Sequence, residues 1–167
     1  MKKLVALLSS LLICILCISC FEGSPQSAYS QFSYPEDEIV AMQIVRMGER
    51  QENGFFELET IVDIEDVESA LKEFRVMVGR HCMGLPRIDT GDIGLKIDYA
   101  NGHYQIFVRL TYGNTCDPDE NNPYESFGTF GIFAFEKDEF FGFLIKYVEM
   151  YGGDVQIVLD RLAEYNN

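Results

Sequence analysis

The stretch GLKIDYANGHYQIFVRLTYG, residues 94–113, places Asn101-Gly102 between two runs in which apolar and polar residues alternate. Asn-Gly is the strongest short-range hairpin signal, because both residue types tolerate positive φ. It commits this part of the chain to antiparallel pairing. A two-residue turn there pairs Tyr99 with Tyr104, Ile97 with Ile106 and Leu95 with Val108, all on one face. That face is expected to be the core face. Lys96, Asp98, Gln105 and Arg109 fall on the other, together with Phe107.

The flanking segments fit such a sheet. EIVAMQIVRM (38–47) and FFELETIV (55–62) read as two strands joined by a polar turn. In 63–79, Ile64, Val67, Leu71, Phe74 and Val78 step by three and four, which predicts a helix with one apolar stripe. Asp63 is its expected cap and Gly79 its expected end. FGTFGIFAF (127–135) reads as a strand, and 136–153 as a helix that turns Phe140, Phe143, Leu144 and Tyr147 inward and ends at Gly152. In 154–165, Val155, Val158, Leu159 and Leu162 fit helical spacing, although Val-Gln-Ile-Val-Leu also reads as a strand. The expected fold class is α+β: an antiparallel sheet of about five strands with two or three helices packed on one face.

The N-terminus has a different organisation. Lys2 and Lys3 precede an unbroken apolar run, Leu4 to Ile18, shorter than the roughly 20 residues of a membrane-spanning helix. Cys14, Cys17 and Cys20 sit three apart in CILCISC. A ferredoxin-type iron–sulfur run requires a fourth nearby cysteine followed by proline, and neither is present. The end of the run, Cys17-Ile18-Ser19-Cys20, resembles instead the lipobox of bacterial lipoproteins, with Cys17 where leucine is usual. The resemblance covers residues 1–20. It implies cleavage of 1–19 as a signal peptide, a diacylglycerol thioether on Cys20 and a protein anchored to a bacterial membrane outside the cytoplasm. Residues 20–36, rich in Ser, Pro and Gln, then read as a flexible tether, and 37–167 as a single globular domain.

Removing residues 1–19 takes away two lysines and no acid, so a formal charge of −14 becomes −16. So acidic a surface repels phosphate backbones, which excludes nucleic acid as a partner, and it repels anionic headgroups. The lipid is expected to tether the domain rather than lay it on the membrane. With Cys20 taken by lipid, Cys82 and Cys116 form an even pair, the disulfide candidate of an exported chain. Their bond would close a loop of about 34 residues, worth ~3–4 kcal/mol in the chain-entropy model.

Sites of chemistry are sparse. Asp89-Thr90-Gly91 carries the triplet of aspartic proteases, but in one copy, with Arg87 before it and Asp92 after it. It reads as a turn before strand 93–99. Asp117, Asp119 and Asn121 begin like a calcium loop, with Glu125 as a further oxygen donor. Asn122 and Pro123 stand at the sixth and seventh positions, and Gly128 replaces the bidentate glutamate, so any calcium site is weak. His81 adjoins Cys82, and the second histidine, His103, follows the Asn-Gly turn. Seven phenylalanines between 127 and 143 read as core, with an apolar groove for a lipid or peptide as the minority reading. No cofactor and no catalytic set is expected. The functional expectation is a lipid-anchored binding domain of the cell envelope whose partner is a protein or peptide. The alternatives are an envelope hydrolase using Asp89, Asp92 or Cys82, and a weak calcium-binding module at 117–125.

Overall fold

A computed structural model of the 167-residue chain describes residues 25–52, 55–82, 89–111, 115–116 and 132–165. The chain enters through a two-residue strand, β1 (Gln26–Ser27), and two short 3-10 turns, Ala28–Gln31 and Glu36–Glu38. It continues as β2 (Ile39–Arg50), β3 (Phe56–Asp63), α1 (Val67–Phe74), β4 (Val78–Cys82), β5 (Ile93–Tyr99) and β6 (Tyr104–Val108). Then follow β7 (Leu110–Thr111), β8 (Thr115–Cys116), β9 (Ile132–Phe135), α2 (Lys137–Met150) and α3 (Val155–Glu164). The fold is α+β and every strand pair is antiparallel. In place of one sheet of about five strands there are two, in the orders β3-β2-β5-β6-β8 and β1-β4-β9-β7. Chain direction passes from one to the other at Arg109, between β6 and β7.

One face of the five-stranded sheet carries the main core. Met42, Ile44, Val62, Leu95, Ile97 and Phe107 meet Phe133 and Phe135 of the four-stranded sheet, Phe74 of α1 and Phe140, Leu144 and Val148 of α2. Phe140, Phe143, Leu144 and Tyr147 are all buried, as their spacing predicts. Gly152 closes α2 with φ 74°, and Gly153 N–H donates to the Val148 carbonyl at 2.9 Å. Residues 155–164 are helical, which decides between the two readings of that segment. The Asp154 carboxylate accepts from Gln156 N–H at 3.0 Å and starts the helix, and Val158 is buried while Leu159 points outward.

The helix expected over 63–79 is shorter. Asp66 rather than Asp63 caps it, accepting from Ser69 N–H at 3.0 Å, and it stops at Phe74. Val78–Cys82 forms β4, because β9 and β1 offer it partners on both sides. Gly79 is therefore not a helix end but a strand residue beneath the Phe133 ring, where a Cβ would lie 2.3 Å from a ring carbon.

The central hairpin differs in register. Gly102 N–H donates to the Tyr99 carbonyl at 3.0 Å and Tyr99 N–H to the His103 carbonyl at 2.9 Å. Residues 100–102 thus form a three-residue loop with positive φ at Gly102 alone, 87°. Pairing becomes Asp98 with Tyr104, Ile97 with Gln105, and Leu95 with Phe107. A one-residue slip turns every β6 side chain over. Phe107 and Gln105 face the main core, whereas Ile106 and Val108 join Val45 and Met47 in a second cluster on the opposite face.

Gln105 is buried and makes three hydrogen bonds. Its Oε1 accepts from Tyr99 Oη at 2.8 Å and Ser33 N–H at 3.2 Å, and its Nε2 donates to the Gln31 carbonyl at 2.7 Å. Burial pushes the Tyr99 hydroxyl well above its ordinary pKa, so it stays a donor. These bonds dock the entering segment onto the hairpin. With Ala28 buried and Phe32 packed on the core, the described part of the expected 20–36 tether belongs to the domain.

Two outcomes follow from these contacts. Gly102→Val should cost about 1–2 kcal/mol, since a β-branched residue resists positive φ, and an unchanged melting temperature would exclude the turn described. Gln105→Leu removes its bonds to the Ser33 N–H, the Tyr99 hydroxyl and the Gln31 carbonyl, at about 1–3 kcal/mol. Amide exchange should accelerate in residues 26–38 first, and unchanged exchange there would show that Gln105 does not hold the segment.

Candidate functional site

The expected site residues scatter. Cys20, Asp117, Asp119, Asn121 and Glu125 lie outside the described residues. Cys82 ends β4 in the four-stranded sheet and Cys116 ends β8 in the five-stranded sheet, with side chains outside the described residues. Among the described residues, no three His, Cys, Asp or Glu side chains gather in a metal-binding arrangement. No described helix is long and apolar enough to cross a membrane.

Asp89-Thr90-Gly91 is a turn, with φ 90° at Gly91. Asp92 behind it is only 2% exposed. Its Oδ2 accepts from Asp89 N–H at 2.7 Å, and its Oδ1 accepts from Tyr165 Oη at 3.0 Å and Arg161 Nε at 3.1 Å, with Arg161 Nη2 on the same oxygen. Burial works against the Arg161 charge, but hydrogen bonds to Asp92 and Glu164 outweigh it and hold the guanidinium above its usual range. Burial and the Asp92 charge push the Tyr165 hydroxyl up to about 12. The Arg161 and Arg109 guanidinium groups both lie over the Tyr165 ring, at 5.1 and 5.4 Å from its centroid. This constellation pins α3 to the turn before β5. A carboxylate so engaged serves as an anchor, not as a general base or nucleophile.

A concave surface lies elsewhere, where the entering segment meets the turn between α1 and β4. Ala28 N–H donates to the Met77 carbonyl at 2.8 Å and Tyr29 N–H to the Arg75 carbonyl at 3.1 Å, while Ser27 pairs with Val78. This alignment leaves Tyr29 58% and Val76 63% exposed. Between them opens a cleft of about 620 Å³ lined by Ser27, Tyr29, Pro35, Glu36, Asp37, Arg75 and Val76. Arg75 Nη1 bonds Glu36 Oε2 at 3.1 Å, tying the two walls. A second hollow of about 370 Å³ is lined by Glu73, Val76, Met77, Asp138, Glu139, Gly142 and Phe143. Val76 belongs to both. Glu73 pairs with Lys146 and accepts from Tyr147 Oη at 3.2 Å. Asp138 and Glu139 occupy the first turn of α2, where the helix dipole favours anions.

A third hollow, of about 290 Å³, adjoins the Asp92 anchor and holds Arg46, Arg161, Asp160 and Glu164. Its cations are occupied: Arg161 by Asp92 and Glu164, Arg46 by Glu59 at 3.9 Å.

Apart from Asp37, the cleft residues fall in segments that the sequence reads as a tether and as the last turns of a helix. Two signals pointed the other way. Tyr29, Phe32 and Tyr34 make the supposed tether too aromatic to stay solvated, and Val76-Met77-Val78 is a short apolar run with two β-branched residues, which suits a strand.

Asp92→Asn should cost about 3 kcal/mol, the low end for breaking a buried pair, because Arg161 keeps Glu164 and is 18% exposed. Denaturant unfolding reads this directly. A variant as stable as the parent protein would leave Asp92 free for another role.

No protein-family model, curated protein or solved structure matches this chain.

Proposed function

We propose that the chain is a lipid-anchored binding domain of the bacterial cell envelope, tethered through Cys20 outside the cytoplasm, and that it engages a protein or peptide through the paired hollows around Val76. The observation that carries this reading is a large, outward-pointing apolar side chain shared by two adjoining hollows on a braced frame. An isolated exposed valine needs no explanation; one that joins concavities of about 620 and 370 Å³ with an exposed tyrosine has the form of an interface centre.

The anchor fits this placement. Eight residues separate Cys20 from the buried Ala28, which caps their separation at about 28 Å. A lipid at Cys20 therefore keeps the cleft near the membrane surface, where it meets membrane-bound or membrane-proximal partners, while the acidic charge keeps the domain off anionic headgroups. The expected Cys82–Cys116 bond remains part of this proposal, as a brace between the two sheets in an oxidising compartment.

Two measurements in intact cells test the reading. Cys20→Ala should abolish lipid labelling, and label persisting on that variant would exclude Cys20 as the acceptor. A photo-crosslinking side chain at Val76 should trap a discrete envelope protein, and one at Glu57, exposed on β3, should not. Equal adducts at both positions would remove the cleft as the binding site.

A further inference from the structure

We infer that the partner segment is basic, with apolar anchors carried between lysines or arginines. This rests on the reading of the paired hollows as the binding site. Their walls hold five carboxylates, Glu36, Asp37, Glu73, Asp138 and Glu139, against one guanidinium, Arg75. The Arg75 charge is already spent on Glu36, and the nearby Lys146 on Glu73. The floor and the dividing ridge are apolar: Tyr29, Val76, Met77 and Phe143. An apolar centre inside a rim of one sign selects a partner with apolar anchors and a rim of the opposite sign.

Two hollows on either side of one ridge call for two anchors, one per hollow. Each is large enough for an aliphatic or aromatic side chain. Charge disfavours the other occupants. A second copy would bring carboxylates against carboxylates in a chain of formal charge −14. An anionic lipid surface meets the same repulsion. A basic segment gains Coulomb attraction from the excess charge of Asp37, Asp138 and Glu139, and long-range steering speeds its encounter.

The test uses the full-length protein in detergent and three synthetic 14-residue peptides. One is an amphipathic Leu/Lys sequence, the second keeps the leucines but replaces Lys by Glu, and the third keeps the lysines but replaces Leu by Ser. The Leu/Lys peptide should bind at least about tenfold tighter than either other peptide, with affinity falling as salt rises. Val76→Asp should weaken it about tenfold or more, and so should the combined Asp138→Asn and Glu139→Gln change. Asp37→Asn, on the other wall of the paired hollows, should act in the same direction by a smaller factor. Melting temperatures of the variants confirm that each is folded. Preference for the Leu/Glu peptide, still lost in Val76→Asp, would overturn the basic partner and leave the cleft as the site. Equal binding of the Leu/Lys peptide by the parent and Val76→Asp proteins would show attraction to bulk acidity alone and overturn the site as well. Failure of all three peptides to bind would overturn the basic partner, and crosslinking from Val76 then judges the cleft separately.

Discussion

The ring of Phe74 is the contact on which the rest of the structure depends. It is fully buried at the last turn of α1 and touches four separate parts of the chain. Phe32 of the entering segment stacks at 6.1 Å, Phe107 of the five-stranded sheet lies at 5.1 Å, Phe143 of α2 at 5.5 Å and Phe135 of the four-stranded sheet at 5.6 Å. A buried phenylalanine supports a domain by about 3–5 kcal/mol, and rings at these separations add directional preference to area burial. With both sheets, a helix and the N-terminal segment converging on one ring, none can shift without disturbing the others. The position also sets where α1 ends. The chain leaves the helix directly after Phe74, and the next residues carry Val76 outward to the surface.

Two polar anchors work where the aromatic core does not reach. Gln105 holds the entering segment to the central hairpin, and Asp92 holds the final helix to the turn before β5. Each is buried with its hydrogen-bonding capacity engaged, so each rewards one alignment of its terminal element and penalises slippage. Apolar packing alone is less discriminating, because one aliphatic side chain substitutes readily for another. The first and last described elements are thus aligned by directional bonds as well as by packing.

The proposed binding site and the architecture meet at the entering segment. Its inner side supplies Ala28 and Phe32 to the core, and its outer side supplies Tyr29, Pro35, Glu36 and Asp37 to the cleft. A wall built this way is held by the domain rather than ordered by the ligand, which lowers the entropic cost of association. The same segment is the one that connects in sequence to Cys20, the proposed anchor.

Periodicity and local turn chemistry were enough to determine the α+β class, two strands near 38–47 and 55–62, the inward face of α2 and its stop at Gly152, and the acidic character of the chain. These depend on residues near in sequence or on charge, which no fold alters. Tertiary structure alone decided three things. The hairpin register turned on whether Asn101-Gly102 closed a two- or three-residue loop, a difference of one residue that exchanges Phe107 and Gln105 for Ile106 and Val108 at the core. The division of the expected helix into α1 and β4 depended on β9 and β1 being present to pair with Val78–Cys82. The cleft depended on the meeting of two segments about fifty residues apart, Ala28-Tyr29 and Arg75-Met77, joined by backbone bonds from Ala28 to Met77 and from Tyr29 to Arg75. Local pattern carries no information about such a meeting. The pairing energy that creates it comes from backbone groups, which every residue except proline presents alike.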